Sequence, residues 1–241
     1  MRVHVVQHVS YEGPAAIAQW ADERGHELTT SLALTEEFPP ADDVDLLVVM
    51  GGPMAADDHA GYPWLPAEKH YLATVIAGGR MVLGICLGAQ ILAEVLGGSV
   101  RRNEHREIGW FEVECTPACD DEMLFESWVG PVTVGQWHGD TFELAVGIPQ
   151  VLSSPACWNQ AFVFDGRVVG LQFHLEWTPE ALALLLAECA GELANPGPYV
   201  MTAEQIAAGA TEHLAAGRGR LFALLDGLAA VGVGDAGDGG Q

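Results

Sequence analysis

The stretch Met81-Val82-Leu83-Gly84-Ile85-Cys86-Leu87-Gly88-Ala89-Gln90 decides the architecture. The run from Arg80 to Ile85 is short, continuous and apolar, as a strand buried on both faces of a parallel sheet must be. A helix follows at once, runs through Leu96 and stops at Gly97-Gly98. The pattern at the junction is Gly-x-Cys-x-Gly, the cysteine form of a nucleophile elbow, in which small neighbours permit a tight turn. Such a turn lifts the Cys86 thiol out of the sheet and sets it at a helix N-terminus, whose dipole favours the thiolate. The Leu87 N–H, left unpaired by the helix start, is available to a developing oxyanion. For a lone cysteine the plainer reading is a small core residue, and the flanking glycines are what turn the argument.

Upstream of this stretch, strands and helices alternate. Arg2 to Val9 and Leu28 to Leu34 read as strands, with a helix between them over Pro14 to Arg24 that Gly25 caps. Val44 to Met50 is a second continuous apolar run, ending in Gly51-Gly52-Pro53, and Pro66 to Ala77 has the pattern of a helix. This order predicts an α/β fold in three layers, a mostly parallel central sheet with helices on both faces. Downstream the character changes to short strands over Trp110 to Cys115, Val132 to Trp137, Val151 to Ser154, Ala161 to Phe164 and Val168 to Phe173, with a hairpin turn at Asp165-Gly166. Thr178-Pro179-Glu180 sets the N-cap and first turn of a helix running to about Ala190. Asn195-Pro196-Gly197-Pro198 then breaks the chain. These signals divide it into a catalytic-type domain over residues 1–194 and a helical extension over 195–241. Within the extension, Thr202 to Leu228 is helical, with Thr202 and Gln205 spaced as a capping box, and Gly232 to Gln241 is expected to be unstructured.

The charge balance excludes several roles. The 241 residues carry 33 acidic against 10 basic side chains, a formal net charge of −23. Such a surface repels phosphate backbones and anionic lipid, so neither nucleic acid nor a membrane is an expected partner. No apolar run reaches the length of a membrane span and the N-terminus lacks a secretory pattern, which predicts a cytoplasmic protein. The five cysteines lack the spacing of a disulfide framework, so most are expected as free thiols.

His174 and Glu176 supply the partners that a cysteine nucleophile needs. They follow the apolar run Val168 to Phe173, and residues two apart on an extended chain face the same way, roughly 6.6 Å apart at Cα. Glu176 can then accept a bond from Nδ1–H of His174, leaving the other ring nitrogen to move a proton to or from a thiol or a leaving amine. Strand C-terminal ends are where sites form in open α/β sheets. The Gly51-Gly52 pair, at the end of such a strand, lets backbone N–H groups approach a ligand, although alone it would be an ordinary turn.

Together, Gly84-Ile85-Cys86-Leu87-Gly88-Ala89-Gln90, Met50-Gly51-Gly52-Pro53-Met54, Gln136-Trp137-His138-Gly139-Asp140-Thr141-Phe142 and Gly170-Leu171-Gln172-Phe173-His174-Leu175-Glu176 resemble the class I (triad) glutamine amidotransferases. The likeness is to stand-alone proteins similar to the amidotransferase domain of GMP synthase, and it covers about residues 1–190. It implies a flavodoxin-like fold and the hydrolysis of the glutamine side-chain amide through a Cys86 γ-glutamyl thioester. His174 would be the acid and base and Glu176 its orienting carboxylate. Gly52 and Leu87 would form the oxyanion hole, while Gln90, Gly139 and Asp140 would hold the substrate. The substrate would be glutamine or a γ-glutamyl compound, with no cofactor or metal. His138 would be structural. The family usually has proline where this chain has Leu175, a change expected to affect turn stiffness more than chemistry. No synthetase segment follows, so any ammonia acceptor would be handled by a separate synthetase subunit, or there is none.

Other signals have plainer readings. Arg101, Arg102 and Arg106 suit a solvated loop, with a carboxylate-binding or docking role as the alternative. Cys115 and Cys119, with His105 and His138, lack the second ligand pair that zinc would need. The tryptophans suit core or pocket wall, and the apolar side of the C-terminal helix suits packing on its own domain. The competing functions are a stand-alone hydrolase of γ-glutamyl amides or peptides, a non-catalytic glutamine-binding or regulatory module, and a cysteine hydrolase of another α/β family. The intact Cys86, His174 and Glu176 count against the module. The His-Leu-Glu ending and the Gly-Gly-Pro turn count against the unrelated hydrolase.

Overall fold

A computed structural model describes residues 1–235. Its centre is β1 (Arg2–Gln7), β3 (Leu46–Val49) and β4 (Met81–Ile85), in which nearly every residue is buried. The continuous apolar runs make sense because alternate residues feed opposite cores. Val3, Val5, Leu46, Val48 and Leu83 face one side, with α1 (Ala16–Glu23) and α5 (Ala203–Asp235). Val6, Leu47, Val49 and Val82 face the other, with α2 (Leu65–Ala77) and α3 (Leu87–Val95). A strand with helices on both faces has no water-facing side, so its period-two alternation of polar residues disappears.

The remaining strands are β2 (Glu27–Leu32), β5 (Ser99–Cys115), β6 (Val132–Glu143), β7 (Gln150–Ser153), β8 (Ala161–Phe164) and β9 (Val168–Leu171), and α4 (Pro179–Glu188) follows β9. The nine-stranded sheet has the order β2-β1-β3-β4-β9-β8-β7-β5-β6. This is the expected α/β architecture, with one refinement: the sheet is parallel from β2 to β9 and antiparallel from β9 to β6. The β8–β9 hairpin turns at Asp165 (φ 54°) and Gly166 (φ 63°), the left-handed pair that a tight hairpin requires.

Three expectations are corrected. The arginine cluster Arg101 to Arg106 is no loop; it lies inside β5, which pairs with β6 from Ser99↔Glu143 to Val113↔Val132, with a shift in register between Arg102 and Glu107. A two-stranded ribbon that leaves the sheet presents both faces partly to water, so its strand signal is lost among polar residues. The second correction is that β9 ends at Leu171, so His174 and Glu176 lie beyond the strand. His174 is instead held by paired backbone bonds to Gly135, His174 N–H to Gly135 O at 2.8 Å and Gly135 N–H to His174 O at 3.3 Å. Finally, α5 continues to Asp235, past the Gly232 where unstructured chain was expected to start; the rest of that expectation, residues 236–241, lies outside the described residues.

Local capping follows the sequence. Thr178 Oγ1 accepts from Ala181 N–H at 3.2 Å ahead of Pro179. Thr202 and Gln205 exchange the reciprocal bonds of a capping box, at 2.8 and 3.3 Å. α5 then buries Leu221, Leu224, Leu225 and Leu228 in the same cluster as α1. Its Asp226 accepts from Trp20 Nε1 at 2.8 Å and pairs with Arg24 at 2.9 Å. No helix among the described residues is long and apolar enough to cross a membrane.

Candidate active site

β4 delivers Cys86 to its C-terminal end and α3 begins at the next residue. Cys86 has φ 51° and ψ −107°, a left-handed conformation that costs a side-chain-bearing residue about 1–3 kcal/mol and survives only where packing imposes it. The imposition comes from two glycines. A Cβ on Gly84 would lie 2.6 Å from the Gly88 backbone, and one on Gly88 would run into the Val49 carbonyl. The helix can therefore start directly against β3 and β4, which sets the buried thiol in the lining of a cleft of about 500 Å³.

His174 and Glu176 meet beside Cys86, behind the cleft lining. Glu176 Oε1 lies 2.7 Å from Nδ1 of His174, and its Oε2 accepts the Leu175 N–H at 3.0 Å. The second bond revises the reading of Leu175: a proline there has no N–H, so the residue helps hold the carboxylate as well as setting the turn. Trp177 stacks on the imidazole at 4.7 Å between centroids. With Nδ1 committed to Glu176, Nε2 is buried beside Cys86 and makes no hydrogen bond of full geometry among the described residues, while the Cys86 thiol donates to the Trp137 carbonyl at 3.6 Å. Proton-transfer contacts commonly tighten only when substrate binds.

The electrostatics make these groups interdependent. Burial opposes charge on His174, but Glu176 and the neighbouring Cys86 outweigh it, and its pKa stands well above that of an ordinary histidine. Burial pushes the Cys86 thiol up, while His174 and the Leu87 N–H pull the other way. A thiolate at Cys86 would therefore depend on the imidazole. Among the described residues the Gly52 N–H has no protein acceptor, and Gly52 lines the cleft with Cys86.

The residues expected to hold the substrate, Gln90, Gly139 and Asp140, line the cleft with Cys86. Gln90 donates from Nε2 to Asp140 O at 3.3 Å and to Gln172 Oε1 at 3.2 Å, which fixes it as part of the wall. Gly139 and Asp140 form the far side, and Arg102 pairs with Asp140 at 2.8 Å. Arg106 pairs with Glu192 at 2.9 Å, and Trp137 Nε1 donates to the same carboxylate at 3.2 Å, closing the cleft with the segment after α4. His138 sits below, with Nε2 3.0 Å from Glu107 and Nδ1 2.9 Å from Asp140 O. Glu107, His138 and Cys157 bring three metal-ligating atoms within 4.8 Å of one another. The Glu107 carboxylate is already taken by His138, Gln160 and Ser154, an arrangement that suits a hydrogen-bonded support rather than a metal. Cys115 and Cys119 form a disulfide, and Cys86, Cys157 and Cys189 are free.

Three residues at the site had no signal in the sequence. Glu12, in the loop after β1, lines the cleft, and a Cβ on Gly51 would collide with its carboxylate while lying 3.4 Å from His174 Cε1. Burial, reinforced by Glu176 and opposed by His174 and His8, raises its pKa to about 7. His8 and Glu68 form a buried pair behind Gly51, with Nε2 to Oε1 at 3.0 Å.

A cysteine elbow beside a His–Glu pair is the arrangement the sequence motifs implied, and comparison with known proteins shows the family. The family model for glutamine amidotransferase class-I matches residues 15–188. The chain belongs to this family. It is 36% identical over 200 residues to the glutamine amidotransferase-like protein YfeJ of Salmonella typhimurium, covering 81% of this chain and 84% of that one. A GMP synthase of Rhodopseudomonas palustris is 36% identical over 147 residues, which is 58% of this chain but 25% of the synthase. The likeness to GMP synthase is therefore to a part of that enzyme. Among solved structures, a glutamine amidotransferase of Thermotoga maritima superposes with a TM-score of 0.87 at 30% identity, covering 95% of this chain and 97% of that one. A glutamine amido transferase of Methylobacillus flagellatus gives 0.88 at 26% identity over 94% and 93%. As a class I amidotransferase, the chain is a member of a family whose cysteine-dependent chemistry fits the residues at this cleft.

Proposed function

We propose that this protein hydrolyses the side-chain amide of glutamine through Cys86. The observation that carries the reading is the Cys86 elbow, held at φ 51° beside the His174–Glu176 pair with its 2.7 Å bond. His174 takes the thiol proton, and the sulfur attacks the amide carbon. The C–S bond forms as the carbonyl becomes an oxyanion, which the Gly52 and Leu87 N–H groups stabilise. The C–N bond then breaks and His174 returns its proton to the departing ammonia. Water, deprotonated by the same imidazole, attacks the thioester and releases glutamate. Glu176 holds the ring and offsets its charge in each half-reaction. Gln90, Gly139 and Asp140 frame the amino-acid end of the substrate, and the ammonia passes to a separate synthetase.

A second reading is a stand-alone hydrolase of γ-glutamyl amides or peptides by the same steps. The cleft favours it in one respect: about 500 Å³ falls in the ~300–1,000 Å³ range of sites for larger ligands, and Arg102 and Arg106 lie at its rim. Ammonia and glutamate release by the purified chain, compared with Cys86→Ala, separates the two when γ-glutamyl peptides are run in parallel. Cys86-dependent turnover of glutamine is expected, with a thioester adduct on Cys86 visible by mass spectrometry. A higher kcat/KM on the peptides would favour the second reading, and no turnover or adduct with either substrate would reject both.

A further inference from the structure

His8 and Glu68 are fully buried ionisable groups that the reaction above leaves unused. His8 directly follows β1, Glu68 lies in the first turn of α2, and Nε2 and Oε1 are 3.0 Å apart with both side chains sealed from solvent. The other ring nitrogen, Nδ1, is 3.1 Å from the Gly51 carbonyl and donates to it. Trp64 stacks over the imidazole at 5.5 Å between centroids. Burial alone would lower the His8 pKa, but Glu68 and the Gly51 carbonyl outweigh it and hold it above the usual value. With Nδ1–H bound to a carbonyl and Nε2 facing a carboxylate, the ring is suited to carry both protons.

The Gly51 carbonyl and the Gly52 N–H belong to one peptide unit. The bond is trans, so the two groups point in opposite directions within one plane. Gripping the carbonyl from the protein side fixes where the N–H points. Two successive glycines have no side chains to prevent rotation of that peptide, so some other contact must prevent it. A Cβ on Gly52 would lie 3.0 Å from His8 Cβ, which places the histidine directly behind the turn. A charged donor on the carbonyl also polarises the amide and makes its N–H a stronger donor. Stability alone does not account for the pair, because a buried ionic pair generally contributes no more than apolar residues of the same volume.

We infer that His8 and Glu68 are positioning residues that lock the Gly51–Gly52 peptide with its N–H directed at the oxyanion formed on Cys86. The inference rests on the amidohydrolase reading and names the part of the protein that builds its oxyanion hole.

The test compares glutamine hydrolysis by the wild type, His8→Phe, His8→Asn and Glu68→Gln. It also measures the rate at which iodoacetamide alkylates Cys86, a reaction that forms no oxyanion. His8→Phe fills the volume and removes the donor, so kcat should fall by about 10²-fold, the scale of losing one oxyanion-hole donor, with KM within about twofold. His8→Asn can place its amide nitrogen where Nδ1 was and should recover about tenfold of that loss, with Glu68→Gln between it and the wild type. All alkylation rates should stay at the wild-type value. Should His8→Phe fail to fold, a kcat loss of about five- to twentyfold in His8→Asn, with a smaller loss in Glu68→Gln, both at unchanged alkylation, still supports the inference. Wild-type kcat in the variants, alkylation slowing in step with kcat, or His8→Asn no better than a folded His8→Phe would overturn it. An inactive wild type rejects the amidohydrolase reading and the inference together, whereas an active wild type with indifferent variants rejects the inference alone.

Discussion

At the scale of single residues, the site divides by how far apart its partners lie in the chain. Cys86, His174 and Glu176 were legible because their signals are local: two glycines around one cysteine, and a carboxylate two residues from a histidine. Glu12, His8 and Glu68 were not. His8 reaches Gly51 across 43 residues and Glu68 across 60, and no nearby sequence announces either meeting. Glu12 carries a prediction of its own. Folding raises its pKa from 4.5 to about 7, so the native state holds this proton where the unfolded chain has lost it, and stability must fall as pH rises through that window. Glu12→Gln removes the dependence. In urea unfolding the variant should match the wild type near pH 3.5, below the unfolded value, and gain on it by up to ~3 kcal/mol near pH 8. A difference that does not change with pH would show that Glu12 titrates normally.

At the scale of elements, the elbow is a strained junction held by its neighbours. The positive φ of Cys86 is unfavourable for any residue with a Cβ and indifferent for glycine. Cys86→Gly should therefore unfold about 1 kcal/mol later than Cys86→Ala, although both lack the nucleophile. Equal stability would mean that the turn stores no strain. Apolar periodicity predicted the buried strands and helices of the first hundred residues well. In the β5–β6 ribbon it read Trp110 to Cys115 and Val132 to Trp137 but not the polar half, where Arg101, Arg102 and Arg106 obscured an extended strand. Ribbon pairing is fixed by the partner strand, and partly exposed faces leave no alternation to read. The disulfide between Cys115 and Cys119 was missed for a similar reason, since spacing alone does not say that two thiols face each other.

At the scale of the whole molecule, α5 is the element whose place mattered most. We propose that the described part of the extension, residues 195–235, is integral to the fold rather than appended to it, because Leu221, Leu224, Leu225 and Leu228 complete the core under α1 and the parallel strands. Leu225, with no exposed surface, is the residue to test: Leu225→Ala should cost about 2–5 kcal/mol by chemical denaturation. A loss under about 0.5 kcal/mol would mark the helix as dispensable. By itself, the sequence determined the α/β class, the cysteine elbow, the helix caps and the acidic character, because each depends on residues a few positions apart or on composition. Tertiary structure alone decided the strand order beyond the β8–β9 hairpin, the ribbon that brings Gly139 and Asp140 over Cys86, and the His8–Glu68 pair behind Gly51. Those contacts join segments far apart in the chain, and their energy comes from burial and hydrogen bonds that exist only once the layers have packed.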